Sequence, residues 1–386
     1  MPTVNKMSRL EPEAFGARHE FTPGAIALLL FGTLLGCAAR AHVDSQAPRP
    51  TTLRSAAVSR GITVGAAVSS RRLSDRDLAE ILQTEFSQIE PENEMKFALI
   101  HPRENTDPQP YDFNGADALV AFARAHGLLA RGHTLVWHRQ LPNWLSQRTY
   151  NQAQLSTILH DHVNAVVGRY RAEVYAWDVV NEAFNDDGSL RDTIWYNKPG
   201  IGCASDGTKY IEQVFGWAHG ASKTARLFYN DYDAEPINQK SNAIYSMALD
   251  FKRRGVPLDG IGFQLHLDPA FDKPETLQSF HANMRRFADL GLEIHFTELD
   301  VRLKDSSAAS LAAQAHLYGE IVKTCLEFPA CKMIQTWGIT DRYSWIPGWY
   351  PRLGWALPWD ASYNRKPAYF AMRDAFLSVP IRKVGQ

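Results

Sequence analysis

Residues 173–182 read EVYAWDVVNE. Branched and aromatic side chains crowd the run, as in a strand covered on both faces. It then closes abruptly on two polar residues, Asn181 and Glu182. Working outward, seven more short apolar runs read as strands: Ile62–Val68, Phe86–Ile89, Leu129–Thr134, Arg226–Tyr229, Gly260–Gln264, Glu293–Thr297 and Met333–Thr336. Amphipathic stretches such as Tyr150–Tyr170 and Leu277–Leu290 separate them. Eight strands alternating with helices predict an α/β fold, a single (β/α)8 TIM barrel over residues 57–386. A doubly wound sheet is the structural alternative. It would carry a glycine-rich phosphate turn after its first strand, and the residues after Ile62 lack G-x-G-x-x-G.

Chemistry on a barrel gathers at the C-terminal strand ends. Polar and aromatic clusters stand there along the whole chain: Glu92-Asn93-Glu94-Met95-Lys96, the 133–138 segment HTLVWH, Asn181-Glu182, Asn230-Asp231-Tyr232, Gln264-Leu265-His266, Glu298-Leu299-Asp300 and the 337–341 segment WGITD. Their register predicts one long polar cleft. Glu182 ends the fourth run and Glu298 follows the seventh. Strands four and seven face each other across a barrel mouth, so the two carboxyls can flank one bond. Hydrolysis of a glycoside needs such a pair, one giving a proton to the leaving oxygen and one meeting the anomeric carbon. Each Glu taken singly reads equally well as half of a structural salt bridge.

Composition narrows the class. The 386 residues are 45% hydrophobic with a net charge of −1, an ordinary globular balance with no electrostatic reason to bind nucleic acid. Ten Trp suit a site that stacks sugar rings, although Trp is also a core residue. Residues 1–41 read as an export signal. The run Ala25–Gly36 is apolar and too short to span a bilayer. Two processing readings stand side by side, a lipoprotein-type box with lipidation at Cys37 and a cleavage site at Ala39-Arg40-Ala41. The protein is thus expected to be exported, either secreted or a periplasmic or outer-surface lipoprotein of a bacterium, and monomeric. Residues 42–56, polar and proline-containing, read as a flexible tether. Cys325 and Cys331 lie close enough for a local disulfide in an exported chain, leaving Cys203 as a packing residue or free thiol. No Cys/His spacing reads as a metal site, and no cofactor is implied.

The segments PENEMKF, GHTLVWH with QLPNW, WDVVNEAF, LFYNDY, GIGFQ with His266, HFTELDVR and TWGITDRYSW occur in one order between Gly65 and Phe376. In this the sequence resembles the glycoside hydrolase family 10 xylanases, retaining endo-1,4-β-xylanases on a TIM barrel. The resemblance implies that Glu182 is the acid/base and Glu298 the nucleophile. It implies that Asn181 bonds the sugar 2-hydroxyl, that His266 contacts the nucleophile with Asp300 behind it, and that Gln264 lines the centre. Glu92, Asn93, Lys96, His133, Trp137, His138 and Gln140 match glycone-side sugar contacts. Tyr232 matches an aromatic on the aglycone side, and Trp337 and Trp345 a pair that excludes a hydroxymethyl group. Cys325 and Cys331 match a family disulfide. The substrates implied are xylan and xylo-oligosaccharides. Three positions depart from the family pattern: Leu265 for a small polar residue, Asp233 for Asn, and Arg342 for Lys, whose longer fork is expected to reach a different hydroxyl. Two other functions stay open at this level, a β-1,4-glucanase of a related barrel family and a surface protein that only binds xylo-oligosaccharides.

Overall fold

The computed structural model describes residues 51–196 and 207–378, all within one compact unit. The export signal, Cys37, most of the expected tether, Cys203 and the last eight residues lie outside them. Eight parallel strands close a barrel: β1 (Thr63–Val68), β2 (Gln88–Pro91), β3 (Leu129–Val136), β4 (Val174–Asn181), β5 (Arg226–Asp231), β6 (Gly260–Phe263), β7 (Glu293–Val301) and β8 (Cys331–Thr336). β8 pairs with β1 to shut the ring, Val64 opposite Ile334. Every expected strand is present. β4 and β7 run further than the apolar pattern did, carrying Asn181, Glu298 and Asp300 into the sheet. Beyond β6, the two-residue segment His266–Leu267 pairs with the end of β7, placing His266 opposite Asp300.

A helix precedes the barrel, α1 (Leu53–Val58), and one follows each strand: α2 (Arg76–Glu85), α3 (Asn114–Ala125), α4 (Gln152–Arg169), α5 (Lys209–Ala221), α6 (Gln239–Arg254), α7 (Pro274–Asp289), α8 (Ala308–Glu327) and α9 (Pro367–Ser378). Local signals set their ends. Asn151 and Asn238 form reciprocal capping boxes with Gln154 and Ser241, and α6 stops on Gly255 at φ +73° after three basic residues. α1 corrects the end of the tether expected over 42–56, from Leu53 onward. Thr52 caps it, Leu53, Ala56 and Ala57 are buried, and Glu85 accepts from the Leu53 N–H at 2.7 Å. Polar composition hid these few apolar contacts. Cys325 and Cys331 are bonded, tying the end of α8 to the start of β8. No helix among the described residues is long and apolar enough to cross a membrane.

The barrel interior is not uniformly apolar. Arg131 on β3 pairs with Glu90 on β2 and Asp178 on β4, all fully buried. Its guanidinium also meets His295 Nδ1 at 2.8 Å. Burial, reinforced by the nearby Asp178 charge, pushes Glu90 up to about 8. Glu90, His133 and Asp178 bring ligand-type atoms together as a metal site would. Arg131 supplies the cation there, so the cluster is charge-compensated by the chain itself. Two glycines make room for what lies above. A Cβ at Gly132 would come within 2.2 Å of the Trp177 ring, and one at Gly262 within 2.2 Å of Asn230 Oδ1.

Candidate active site

A cleft of about 360 Å³ opens at the C-terminal strand ends. Glu92, Asn93 and Lys96 from the β2 end and His133, Trp137 and Gln140 from the β3 end form one side. Asn181, Glu182, Tyr232, Gln264, His266 and Glu298 follow around the ring, and Trp337 and Trp345 complete it. These are fourteen of the expected site residues. The other two stand one layer back. His138 Nδ1 lies 3.9 Å from Glu182, and Asp300 sits behind His266.

Glu182 sits just past β4 with φ +56°, its N–H donating to the Asn230 carbonyl at 2.9 Å. That turn aims a nearly buried carboxyl into the cleft. Its oxygens accept from the Trp137 indole N–H at 2.8 Å, the Gln264 amide at 3.0 Å and the Asn181 amide at 3.2 Å. All three donors are neutral. The imidazole nearby is neutral as well. Burial, aided by Arg191, Arg139 and Lys240, pulls His138 down to about 3.

Glu298 is dressed differently. Its oxygens accept from the Asn230 amide at 2.7 Å and from His266 Nε2–H at 3.1 Å. The other ring nitrogen of His266 donates to Asp300 at 3.0 Å, and Asp300 also takes the Trp345 indole N–H at 2.8 Å. Burial alone would lower His266. The Asp300 charge and the bonds to both carboxylates outweigh it and lift the imidazole to about 10. His266 is therefore a cation at neutral pH, touching Glu298. Lys96 adds a second positive charge at the cleft floor, over Trp137 at 4.9 Å and Trp337 at 5.4 Å. Burial pulls its ammonium down against the opposing field of Glu298, Glu92 and Glu182. Glu92 is pushed up, by burial first, with Lys96 opposing.

One residue outside the expected set ties the carboxyls together. Asn230 at the end of β5 donates to Glu298 and, at 2.9 Å, to Asn181 Oδ1, while the Thr297 hydroxyl holds its own Oδ1 at 2.6 Å. Gln264 bridges Asn181 and Glu182 from the other side. A continuous hydrogen-bond chain thus runs from Glu182 through Asn181 and Asn230 to Glu298. Asn230 stood inside a quoted polar cluster, and Gly262, whose missing side chain admits it, was the other available signal. The cleft lip also contains Arg139, Trp349 and Tyr350, which no quoted motif includes, and Arg302, which ends one without an implied role. Of the departures, Leu265 is fully buried at φ +62°, its N–H donating to Glu235 at 2.9 Å. Asp233 is exposed on the lip beside Tyr232. Arg342 does not reach the cleft as expected; its guanidinium lies over Tyr343 and Tyr363. Those rings offer the cation a flat partner.

Two unlike carboxyls, one among neutral donors and one against a cation, are the equipment of acid-assisted displacement at an acetal carbon. The likeness to known proteins agrees with that chemistry. The glycosyl hydrolase family 10 profile matches residues 52–375. Endo-1,4-beta-xylanase B of Thermotoga neapolitana is 42% identical over 356 residues, 91% of this chain and 97% of that one. Endo-1,4-beta-xylanase A of Phanerodontia chrysosporium is 39% identical over 79% of this chain and 72% of that one. Among solved structures, xylanase 10B of Thermotoga maritima superposes with a TM-score of 0.79 at 42% identity, covering 84% of this chain and 98% of that one. Xylanase 10B of Thermotoga petrophila in complex with xylobiose gives 0.79 at 41% identity, over 85% and 98%. With barrel, cleft and carboxyl pair in place over that length, the chain belongs to glycosyl hydrolase family 10.

Proposed function

We propose that this chain is a retaining endo-1,4-β-xylanase, with Glu182 as acid/base and Glu298 as nucleophile. The observation that carries the assignment of roles is the unlike dressing of the two carboxyls. Glu298 touches the His266 cation, so its negative charge has a partner while it attacks the anomeric carbon. Glu182 meets only neutral donors and is free to hold the proton that the leaving sugar oxygen takes. In the second half-reaction Glu182 accepts a proton from water as that water displaces Glu298 from the sugar. To the Asn181 amide, held by Asn230 and Gln264, falls the bond to the sugar 2-hydroxyl in this reading. Trp337 and Trp345 wall the reacting sugar, and an indole there leaves little room for a hydroxymethyl group, which favours xylose over glucose. The test is proton NMR of xylohexaose hydrolysis in its first minutes. The β-anomer should appear first; an α-anomer would overturn the mechanism. Rates on xylan and carboxymethylcellulose test the sugar preference, and faster cleavage of the latter would refute it.

We also infer export from the apolar run Ala25–Gly36 followed by Cys37 and Ala39-Arg40-Ala41. Mass spectrometry of the mature N-terminus distinguishes a lipidated Cys37 from cleavage after Ala41, and an intact Met1 would refute both.

A further inference from the structure

Among the described residues, the cleft has on its lip a cation with no carboxylate in ion-pair range. Lys96 stands among acidic neighbours, and Arg302 is spent on Asp268 at 3.1 Å and the His266 carbonyl at 2.8 Å. Arg139, on the lip after β3, has no ion-pair partner among the described residues. Its Nε–H donates to His138 Nε2 at 3.2 Å, and its guanidinium lies 5.0 Å from the centre of the Trp349 ring. A cation on an aromatic face uses the flat side of the guanidinium. The Nε bond fixes rotation in that plane. What remains is the end-on fork of two terminal nitrogens, exposed at the cleft. Two parallel N–H donors at that spacing match a carboxylate. Trp349, 56% exposed and on the same lip, offers apolar surface for the ring that bears it.

The opposite sign stands elsewhere on the rim. Asp233 lines the cleft from the β5 side, exposed, while Arg139 adjoins Gln140, whose amide reaches Asn93 on the β2 side at 3.3 Å. An anionic group on a polysaccharide is attracted at one lip and repelled at the other. We propose that Arg139 and Trp349 form a subsite for a sugar carboxylate, the uronic acid side group of a glucuronoxylan, on the β2–β3 side of the cleft. The proposal rests on the xylanase reading and specifies which xylan the site prefers.

The test compares kcat/KM on glucuronoxylan with kcat/KM on the same polymer after chemical reduction of its carboxyls to alcohols, with xylohexaose as a linear reference. Wild type should favour the native polymer. In Arg139→Gln the native-to-reduced ratio should fall about fivefold, the scale of an exposed bidentate pair. Arg139→Lys keeps a charge beside His138 but loses the fork, and should fall between them. About 0.5 M NaCl should shrink the wild-type ratio by screening. Identical ratios in wild type and Arg139→Gln would overturn the subsite while xylohexaose cleavage upheld the xylanase. Failure of wild type to cleave xylohexaose would overturn the reading beneath it and the subsite together.

Discussion

At the mouth of this barrel Glu182 and Glu298 each have an imidazole for a neighbour, and the two imidazoles are opposites. Beside Glu182, His138 is pulled down to about 3 by burial and by Arg191, Arg139 and Lys240. Beside Glu298, His266 is lifted to about 10 because Asp300 stands behind it and outweighs its burial. The same side chain is neutral at one strand end and cationic at the other. The difference lies in the group behind it, cations in one case and a carboxylate in the other. The identity of a catalytic side chain therefore tells less than the charge of the residue that backs it.

The sharpest break of this comparison removes the carboxyls themselves. Glu298→Ala should lower turnover on every glycoside by about 10⁴-fold or more, measured on xylan and on aryl xylosides alike. Glu182→Ala should lower xylan hydrolysis by about 10³-fold yet spare the glycosylation burst on dinitrophenyl xyloside, whose leaving group needs no proton. Equal losses on both substrates would mean the roles are not divided as proposed. Asn230→Ala unties Glu298 from Asn181 and should cost between about 10- and 100-fold in kcat, the range for losing a hydrogen bond to a charged group. Asp300→Asn removes the main force lifting His266. The imidazole should then lose its charge at lower pH, and an NMR titration of its ring should show the midpoint falling from about 10 toward neutrality.

The smallest effects are on stability, and their signs are opposite. His266 is raised above its unfolded value of 6.5, so its contribution is complete below that pH and is lost as pH climbs toward 10. His138 is depressed to about 3. The unfolded chain takes up its proton first, so stability falls as pH drops from about 6.5 toward 3. Urea unfolding across pH should show His266→Gln flattening the alkaline side and His138→Gln the acid side. The reverse pattern would contradict both assignments.

Much of this was readable along the chain because it is local. Each strand is a short apolar run, most site residues end or follow one, and barrel closure puts runs four and seven face to face. What escaped is what depends on contacts distant in sequence. α1 reads as polar tether because only three of its side chains are buried against the barrel. Asn230 looks like any strand-end Asn until Gly262, on the next strand, is seen to leave it space to reach Glu298. Arg139 and Trp349 stand far apart in the chain and acquire meaning only by touching. The cationic state of His266 needs Asp300 at 3.0 Å, a distance set by the pairing of His266–Leu267 with β7.

The central claim, that the carboxyl backed by a cation does the attacking, is tested most directly by trapping it. A dinitrophenyl 2-deoxy-2-fluoro-β-xylobioside should leave a slowly hydrolysed glycosyl ester on the enzyme, and peptide mass spectrometry should place that ester on Glu298. An ester on Glu182, or inactivation without any covalent label, would contradict the account.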